Sequence, residues 1–354
     1  MFDIITIGSA TLDAFVETNT ANIVSVSSYN DKREYMAYPY GSKLEIDNYK
    51  DAVGGGAVNS ATNFSHLGLA TSTIAKIGDD LQGRNVLNSL EHFGVNTSNV
   101  IVSKEEKTGF SIILLSFQGD RTVLAHRGPN ATISKKDINF DAIKNSKWLY
   151  VAPLNGDSTA VLDEIAHFAE ENDVNMAINI GTSSIKRGQQ YLNKILKTAE
   201  VVILNKEEAT MLTGIQVRPD TKEFKYSEDI IHQDVIAMLN ELKSTSAKIV
   251  IITDGKHGVY AFDGRKYYQL PEFPGNVVST LGAGDAFSST FVAALIETRC
   301  NIETSLMYAA VNASSVVGQF GAQEGFLTFE QIKIKLSLVP EFKVSTLTLA
   351  EVSA

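Results

Sequence analysis

The segment VGGGAVNSATNFSHLGLATSTIAKIG, residues 53 to 78, sets Gly54, Gly55 and Gly56 ahead of a stretch with helical spacing of Val58, Thr62, Phe64 and Leu67, then ends on a short apolar run. Bare residues, a helix and a strand in that order form a unit of a layered sheet. Asn59 falls within the first helical turn. Glycines there let a polyhydroxylated ligand come close to the backbone, and an amide both donates to and accepts from hydroxyl groups. A glycine-rich turn capped by a helix, with no ligand, accounts for the same residues equally well. The cluster does not complete G-x-G-x-x-G after a strand, so it is not a dinucleotide fingerprint.

The pattern repeats outward. FDIITIG (2–8), TSTIAKIG (71–78), KWLYVA (147–152), VNMAINI (174–180), EVVILN (200–205) and KIVIIT (248–253) are strand-like runs separated by helix signals. In GDDLQGRNVLNSLEHFG, acidic residues open the helix and Gly94 closes it. The alternation predicts an α/β fold with a mainly parallel central sheet flanked by helices. Two stretches break it. Residues 18–50, with short alternating pieces such as EYMAYPY and SKLEI, and residues 109–126, a hairpin turning at Gln118, Gly119 and Asp120, predict a small β-sheet lid. Residues 1–17, 51–108 and 127–340 then form the α/β core, and 341–354 a peripheral C-terminal tail. Exposed edges on the lid make a homodimer through paired lids an expectation.

Composition narrows the function. A formal charge of −10 without a basic run argues against nucleic acid or an anionic membrane as partner and for a small molecule. With 44% apolar and 20% charged residues the balance is that of an ordinary globular protein. Cys300 is the single cysteine, so no internal disulfide forms and a reducing, cytoplasmic setting is expected. The opening MFDIITIGSATLD reads as a core strand rather than a signal peptide, and no run of about 18 apolar residues suggests a membrane span. The six histidines lack paired spacing, so no zinc site is expected.

A second bare turn lies in VVSTLGAGDAFSSTFVAALI, residues 277–296. Gly282, Ala283 and Gly284 free their N–H groups just where a helix contributes its positive end, which makes an anion site of backbone. Such donors stabilise a phosphoryl group in transit. Asp285 beside them can accept the proton of an attacking hydroxyl, and the helix dipole is expected to keep its pKa low. A plain N-cap at Asp285 after a tight turn is the competing reading.

Together the two segments resemble the ribokinase-like, or PfkB, carbohydrate kinase family. Gly54, Gly55, Ala57, Asn59, Ala61, Gly68 and Gly78 match its N-terminal signature, and S-T-L-G-A-G-D from Ser279 to Asp285 resembles its D-T-x-G-A-G-D. The resemblance covers residues 1 to 340 and implies ATP-dependent phosphorylation of a hydroxyl on a sugar, sugar acid or nucleoside. It implies Asp285 as catalytic base, with the amides of Gly282, Ala283 and Gly284 as anion hole. Asp13, in GSATLDAFV, matches the family's substrate-binding aspartate, and by the same resemblance Gly55, Gly56 and Asn59 would line the same pocket. Asn205 and Glu208, in NKEEATMLTG, resemble the N-x-x-E element and imply a Mg²⁺ site on the nucleotide side. Thr253, Gly255 and Gly258 match a T-x-G-x-x-G loop near the nucleotide, although a turn between strands has the same residues. Arg127, at the end of the lid hairpin, is a candidate contact to substrate or phosphate and equally a surface arginine.

The chain departs from the family at Ser279, where an aspartate commonly helps bind an activating monovalent cation, so potassium activation is in doubt. Thr290 stands where glycine or alanine is usual. NASSVVGQFGAQEG, residues 312–325, resembles the adenine-side segment. A nucleoside kinase of the same fold and a non-catalytic sugar or nucleotide sensor are the alternatives. A nicotinamide dehydrogenase is least favoured, for want of its glycine fingerprint.

Overall fold

Alternate side chains of the strand Val201–Asn205 serve two cores. Val202 and Leu204 join one apolar cluster, while Val201 and Ile203 join another. A strand apolar on both faces requires cover on both sides, and this computed structural model supplies it with helices. It describes residues 1–28, 31–115, 121–216, 233–244 and 247–348. On one face lie Leu162–Glu171, Gln189–Thr198 and Gln233–Ser244, and on the other Ala283–Glu297 and Ile302–Val317.

Among the described residues the main sheet has nine strands. From Thr71–Ile74 the order runs through Phe2–Ile7, Ser146–Val151, Asn175–Asn179 and Val201–Asn205 to Ile249–Thr253, all parallel. Val259–Phe262, Lys266–Leu270 and Ser345–Thr348 then add antiparallel neighbours. The chain therefore has the predicted α/β architecture. The tail differs from expectation: Ser345–Thr348 is the edge strand of the main sheet, and Phe342 is buried against the second core. Its short alternating pattern carries too little apolar content to read as a strand until it pairs with Lys266–Leu270.

The small sheet also differs in its limits. Its four strands run Arg121–His126, Gly109–Leu115, Thr11–Glu17 and Asn48–Gly54, and Asn22–Ser28 pairs with Asp31–Ala37 as a separate ribbon. Thr11–Glu17 thus leaves the core and forms the middle of the small sheet, parallel to Gly109–Leu115 and antiparallel to Asn48–Gly54. The chain crosses between sheets at Gly8–Ala10 and Gly54–Gly55, not at residues 17 and 51. SKLEI is not a strand, and the strand lies just after it. The hairpin turn at Gln118, Gly119 and Asp120 lies outside the described residues. Among the described residues no helix is long and apolar enough to cross a membrane.

Candidate active site

The parallel strands end, at their carboxyl termini, in the segments that carry most of the residues singled out above, the usual location of a ligand in an open α/β sheet. Strand Phe2–Ile7 leads through Ser9 into Thr11–Glu17. Its neighbour in the small sheet, Asn48–Gly54, leads directly into helix Gly56–His66. The site begins at that corner.

Gly55 has φ 97° and is the N-cap of the helix, where a Cβ would lie 2.5 Å from the Ser9 carbonyl oxygen. Only glycine fits both demands. A Cβ on Gly54 would strike Oδ2 of Asp13, so the bare residue makes room for that carboxylate. Asp13 is not a solvated loop acid. It sits mid-strand, paired across to Ala52 and Ser111, and keeps 8% of its surface. Burial pushes its carboxyl up, and hydrogen bonds from Ser111 and Thr11 partly offset that.

Helix Ala283–Glu297 begins at Gly282, whose φ of 77° is left-handed. A Cβ there would lie 2.7 Å from Cα of Ala322. No side chain caps this helix, so its first-turn amides are free of the usual partner. Gly284 is different: its φ is not positive and a Cβ on it would meet nothing within 4 Å. Neither backbone conformation nor packing demands glycine at that position. A bare helix start, with Gly284 exposed and Gly282 and Ala283 half-buried, is the cradle a phosphate would occupy, and the residues fit such a group.

The two glycine segments meet through side chains. Asn59 donates from Nδ2 to Oδ2 of Asp285 at 2.8 Å. A Cβ on Gly56 would lie 3.6 Å from Oδ1 of Asp285. Asp285 is therefore not the N-cap, which is Gly282. Its carboxyl is also shifted opposite to expectation. Burial pushes it up, the Asn59 amide lowers it, and the negative charge of Asp13 raises it again. Desolvation is the largest of these influences, ahead of the Asn59 amide and the Asp13 charge. Behind it, burial likewise pushes the Tyr150 phenol up, with the Asp285 charge adding to the effect.

A buried polar network ties the helices together beneath the site. Asn63 donates from Nδ2 to Ser289 Oγ and Thr290 Oγ1, each at 2.8 Å. Asn312 donates to Asn63 Oδ1 at 3.0 Å and to Thr290 Oγ1 at 2.7 Å. Thr290, where a smaller residue was usual, thus supplies an acceptor for two buried amides. Ser279 Oγ accepts from the N–H of Leu281 at 3.3 Å, within the turn that leads to Gly282.

Further along the sheet, Asn205 and Thr253 are partners in register on adjacent parallel strands. Asn205 and Glu208 form a capping box: Glu208 N–H donates to Asn205 Oδ1 at 2.8 Å, and Asn205 N–H donates to Glu208 Oε2 at 3.0 Å. Burial, and then the charge of Glu207, push the Glu208 carboxyl up against the hydrogen bond from Asn205. Each side chain therefore has one oxygen committed to the helix start. Among the described residues no group of three or more His, Cys, Asp or Glu could hold a metal. A hard cation here would depend on Glu208, with water and phosphate oxygens completing its shell, which suits Mg²⁺ rather than a protein-caged ion. Gly255 has φ 52° and Gly258 φ 90° around a one-turn 3-10 helix between antiparallel strands. Arg127 is exposed and is not among the hydrogen-bond partners of the Asp13, Asn59 and Asp285 group.

Segment 312–325 behaves in two parts. Val278 and Ser279 N–H groups both donate to the Val317 carbonyl oxygen, which binds its first part to the loop leading to Gly282. Its second part turns instead toward the small sheet: Gln323 donates from Nε2 to Asn59 Oδ1 at 3.1 Å, and Lys50 bonds Glu324 Oε1 at 2.9 Å. Neither Gln323 nor Lys50 was singled out above. Their partners lie 264 and 274 residues away, and no local pattern signals them.

The family match sets the class, the sugar kinases, phosphotransferases whose acceptor is an alcohol group, and two carboxylates near glycine-lined helix starts at the end of a parallel sheet suit it. The chain belongs to the pfkB family carbohydrate kinases, with residues 20–328 matching the family. It is 27% identical over 89% of its length to the bifunctional ribokinase/ribose-5-phosphate isomerase A of Fructilactobacillus sanfranciscensis, and spans about half (54%) of that relative. With the 5-dehydro-2-deoxygluconokinase of Halalkalibacterium halodurans it shares 26% identity over 99% of this chain and 97% of that protein. The structure of Arabidopsis thaliana ribokinase complexed with ribose and ATP superposes with a TM-score of 0.74 at 22% identity, covering 95% of this chain and 98% of that one.

Proposed function

We propose that this sugar kinase transfers the γ-phosphate of ATP to a hydroxyl of a sugar or sugar acid, with Asp285 as the base. The observation that carries this reading is the Asn59–Asp285 hydrogen bond, which joins the glycine turn of one signature to the carboxylate of the other. Asp13 and Asn59 offer acceptor and donor groups to paired hydroxyls of the substrate. Asp285 holds the nucleophilic hydroxyl and takes its proton as the new bond to phosphorus forms. A base whose pKa is raised by burial is better matched to neutral pH than an ordinary carboxylate. Amides of Gly282, Ala283 and Gly284 face the oxygens that gain charge. The small sheet, which carries Asp13, closes over the acceptor and excludes water, a competing nucleophile.

Asn205, Thr253, Gly255 and Gly258 flank the nucleotide in this reading, and Glu208 holds Mg²⁺ through water or directly. When bound, that ion neutralises charge on the phosphates.

The names of the relatives suggest the acceptors to test first: ribose and 5-dehydro-2-deoxygluconate, with adenosine as the nucleoside control. ADP release is followed with each, at saturating Mg²⁺ and ATP. Turnover of one sugar well above adenosine is expected. Absence of turnover across the panel, in folded protein, would make a ligand sensor the better reading.

A further inference from the structure

Asp285 is joined to the small sheet by a continuous set of contacts through residues 319–326. Strand Asn48–Gly54 contributes Lys50, whose Nζ donates to the Phe320 carbonyl oxygen at 2.7 Å and to Glu324 Oε1 at 2.9 Å. Strand Thr11–Glu17 contributes Phe15, whose ring lies 5.0 Å from that of Phe320. From the same segment Gln323, 9% exposed, donates to Asn59 Oδ1, and Ala322 packs beneath Gly282. Gln323 Oε1 in turn accepts from Ser89 Oγ at 3.4 Å.

The direction of these bonds matters. An amide has one accepting end and one donating end, and the two faces of Asn59 are occupied by different partners. Because Gln323 donates to Oδ1, the Nδ2 end is left pointing at Asp285. Without that donor the carboxylate alone holds Nδ2 toward it, and once protonated it meets the oxygen end as readily by donating to it. Gln323 thus fixes which end of Asn59 the base meets.

We propose that residues 319–326 transmit the position of the small sheet to Asp285, with Gln323 as the positioning residue and Lys50–Glu324 as the latch on the sheet's side. Displacement of the sheet moves Lys50 and Phe15, and with them the segment that carries Gln323. The base is then held in its working orientation only when the sheet is seated. The kinetic consequence rests on the kinase reading above, whereas the coupling itself does not.

The titratable groups facing Asp285 are Asp13, from the small sheet, and Tyr150, from strand Ser146–Val151. Neither is altered by the variants below. The experiment follows the Asp285 carboxyl by NMR in protein labelled with ¹³C at aspartate side chains, with Asp285→Asn identifying the signal. Gln323→Met keeps the volume and removes the donor, so the Asp285 midpoint is expected to rise. Glu324→Met is the sharper test. Removing a negative charge acts directly to lower the midpoint, whereas release of the latch raises it. A rise in both variants, with no further rise when they are combined, supports transmission. An unchanged or lowered midpoint in Glu324→Met overturns it. Should Gln323→Met fail to fold, Glu324→Met, at the half-exposed end of the chain of contacts, still decides the matter.

Kinetics then separate the two ideas. Gln323→Met is expected to lower kcat about tenfold and move the acid limb of its pH profile upward, with the acceptor KM little changed. A wild-type kcat and pH profile in this variant overturns the positioning role. If the Asp285 signal shifts as described but the parent enzyme turns over no acceptor, the coupling stands and the kinase reading falls.

Discussion

Asn59 and Asp285, 226 residues apart in the chain, share a hydrogen bond of 2.8 Å that closes the site from opposite helices. The amide donates to the carboxylate and so favours its charged form, against burial and the nearby charge of Asp13. Asn59→Ala is therefore expected to raise the pKa of Asp285 further. The acid limb of kcat should move to higher pH, with kcat at neutral pH reduced roughly ten- to a hundredfold. Steady-state rates across pH 5–9 check this, and an unmoved acid limb would separate Asp285 from the titrating group.

Asp285→Asn should have opposite effects on activity and stability. Losing the proposed base is expected to cost about 10²–10⁴ in kcat. The sign for stability follows from a folded pKa raised above the ordinary carboxylate value. The folded state then holds the proton more tightly than the unfolded one, so stability falls as pH rises from the unfolded to the folded pKa and stays lowered above it. Asparagine carries no such charge. Thermal melts should show the variant gaining on the parent as pH increases from 4 to 7, and an advantage confined to acid pH would contradict the sign.

The glycines before Asp285 make separable predictions. Gly284→Ala meets no atom within 4 Å and lies in a helix, so stability should hold or rise by up to about 1 kcal/mol. Its methyl group enters the proposed phosphate cradle, so kcat/KM for ATP should fall at least tenfold. Gly282→Ala meets Ala322 and requires φ 77°, and should cost about 1–3 kcal/mol. Urea denaturation alongside ATP kinetics distinguishes a glycine kept for a ligand from one kept for the fold.

Glu208 serves a helix start and, as proposed, a metal. Glu208→Gln keeps an oxygen to accept from the Asn205 N–H, so its melting temperature should match the parent's. The Mg²⁺ concentration for half-maximal rate should nevertheless increase several-fold. Glu208→Ala loses the box as well and should lose about 1 kcal/mol. Equal Mg²⁺ dependence in parent and Glu208→Gln would leave only the capping role.

Thr290→Val tests the network beneath the site. It removes an acceptor used by the buried amides of Asn63 and Asn312, at nearly constant volume. A loss of about 1–3 kcal/mol in chemical denaturation is expected. A neutral result would mean that both amides find other partners.

Much of the architecture was legible because strands and helices announce themselves through local periodicity. FDIITIG and EVVILN are apolar on both faces, and a both-faced strand needs helices on both sides. Gly55 and Gly282 were legible as turns for a similar reason, since positive φ restricts residue type locally. The limits of the small sheet were not. Thr11–Glu17 looks like a continuation of the first strand's neighbourhood, and only its pairing with Gly109–Leu115 and Asn48–Gly54 moves it to the other sheet.

By itself, the sequence determined the α/β class and the two glycine turns. These depend on short-range sterics and on the period of apolar residues. Only the tertiary structure decided the ionisation of Asp285, because desolvation is set by whatever surrounds a group, and Asn59 and Asp13 arrive from distant parts of the chain. It also decided that Gln323 faces Asn59 and that Lys50 reaches Glu324. A hydrogen bond between side chains hundreds of residues apart leaves no periodic trace in sequence, and its direction is fixed only when both partners are held in place.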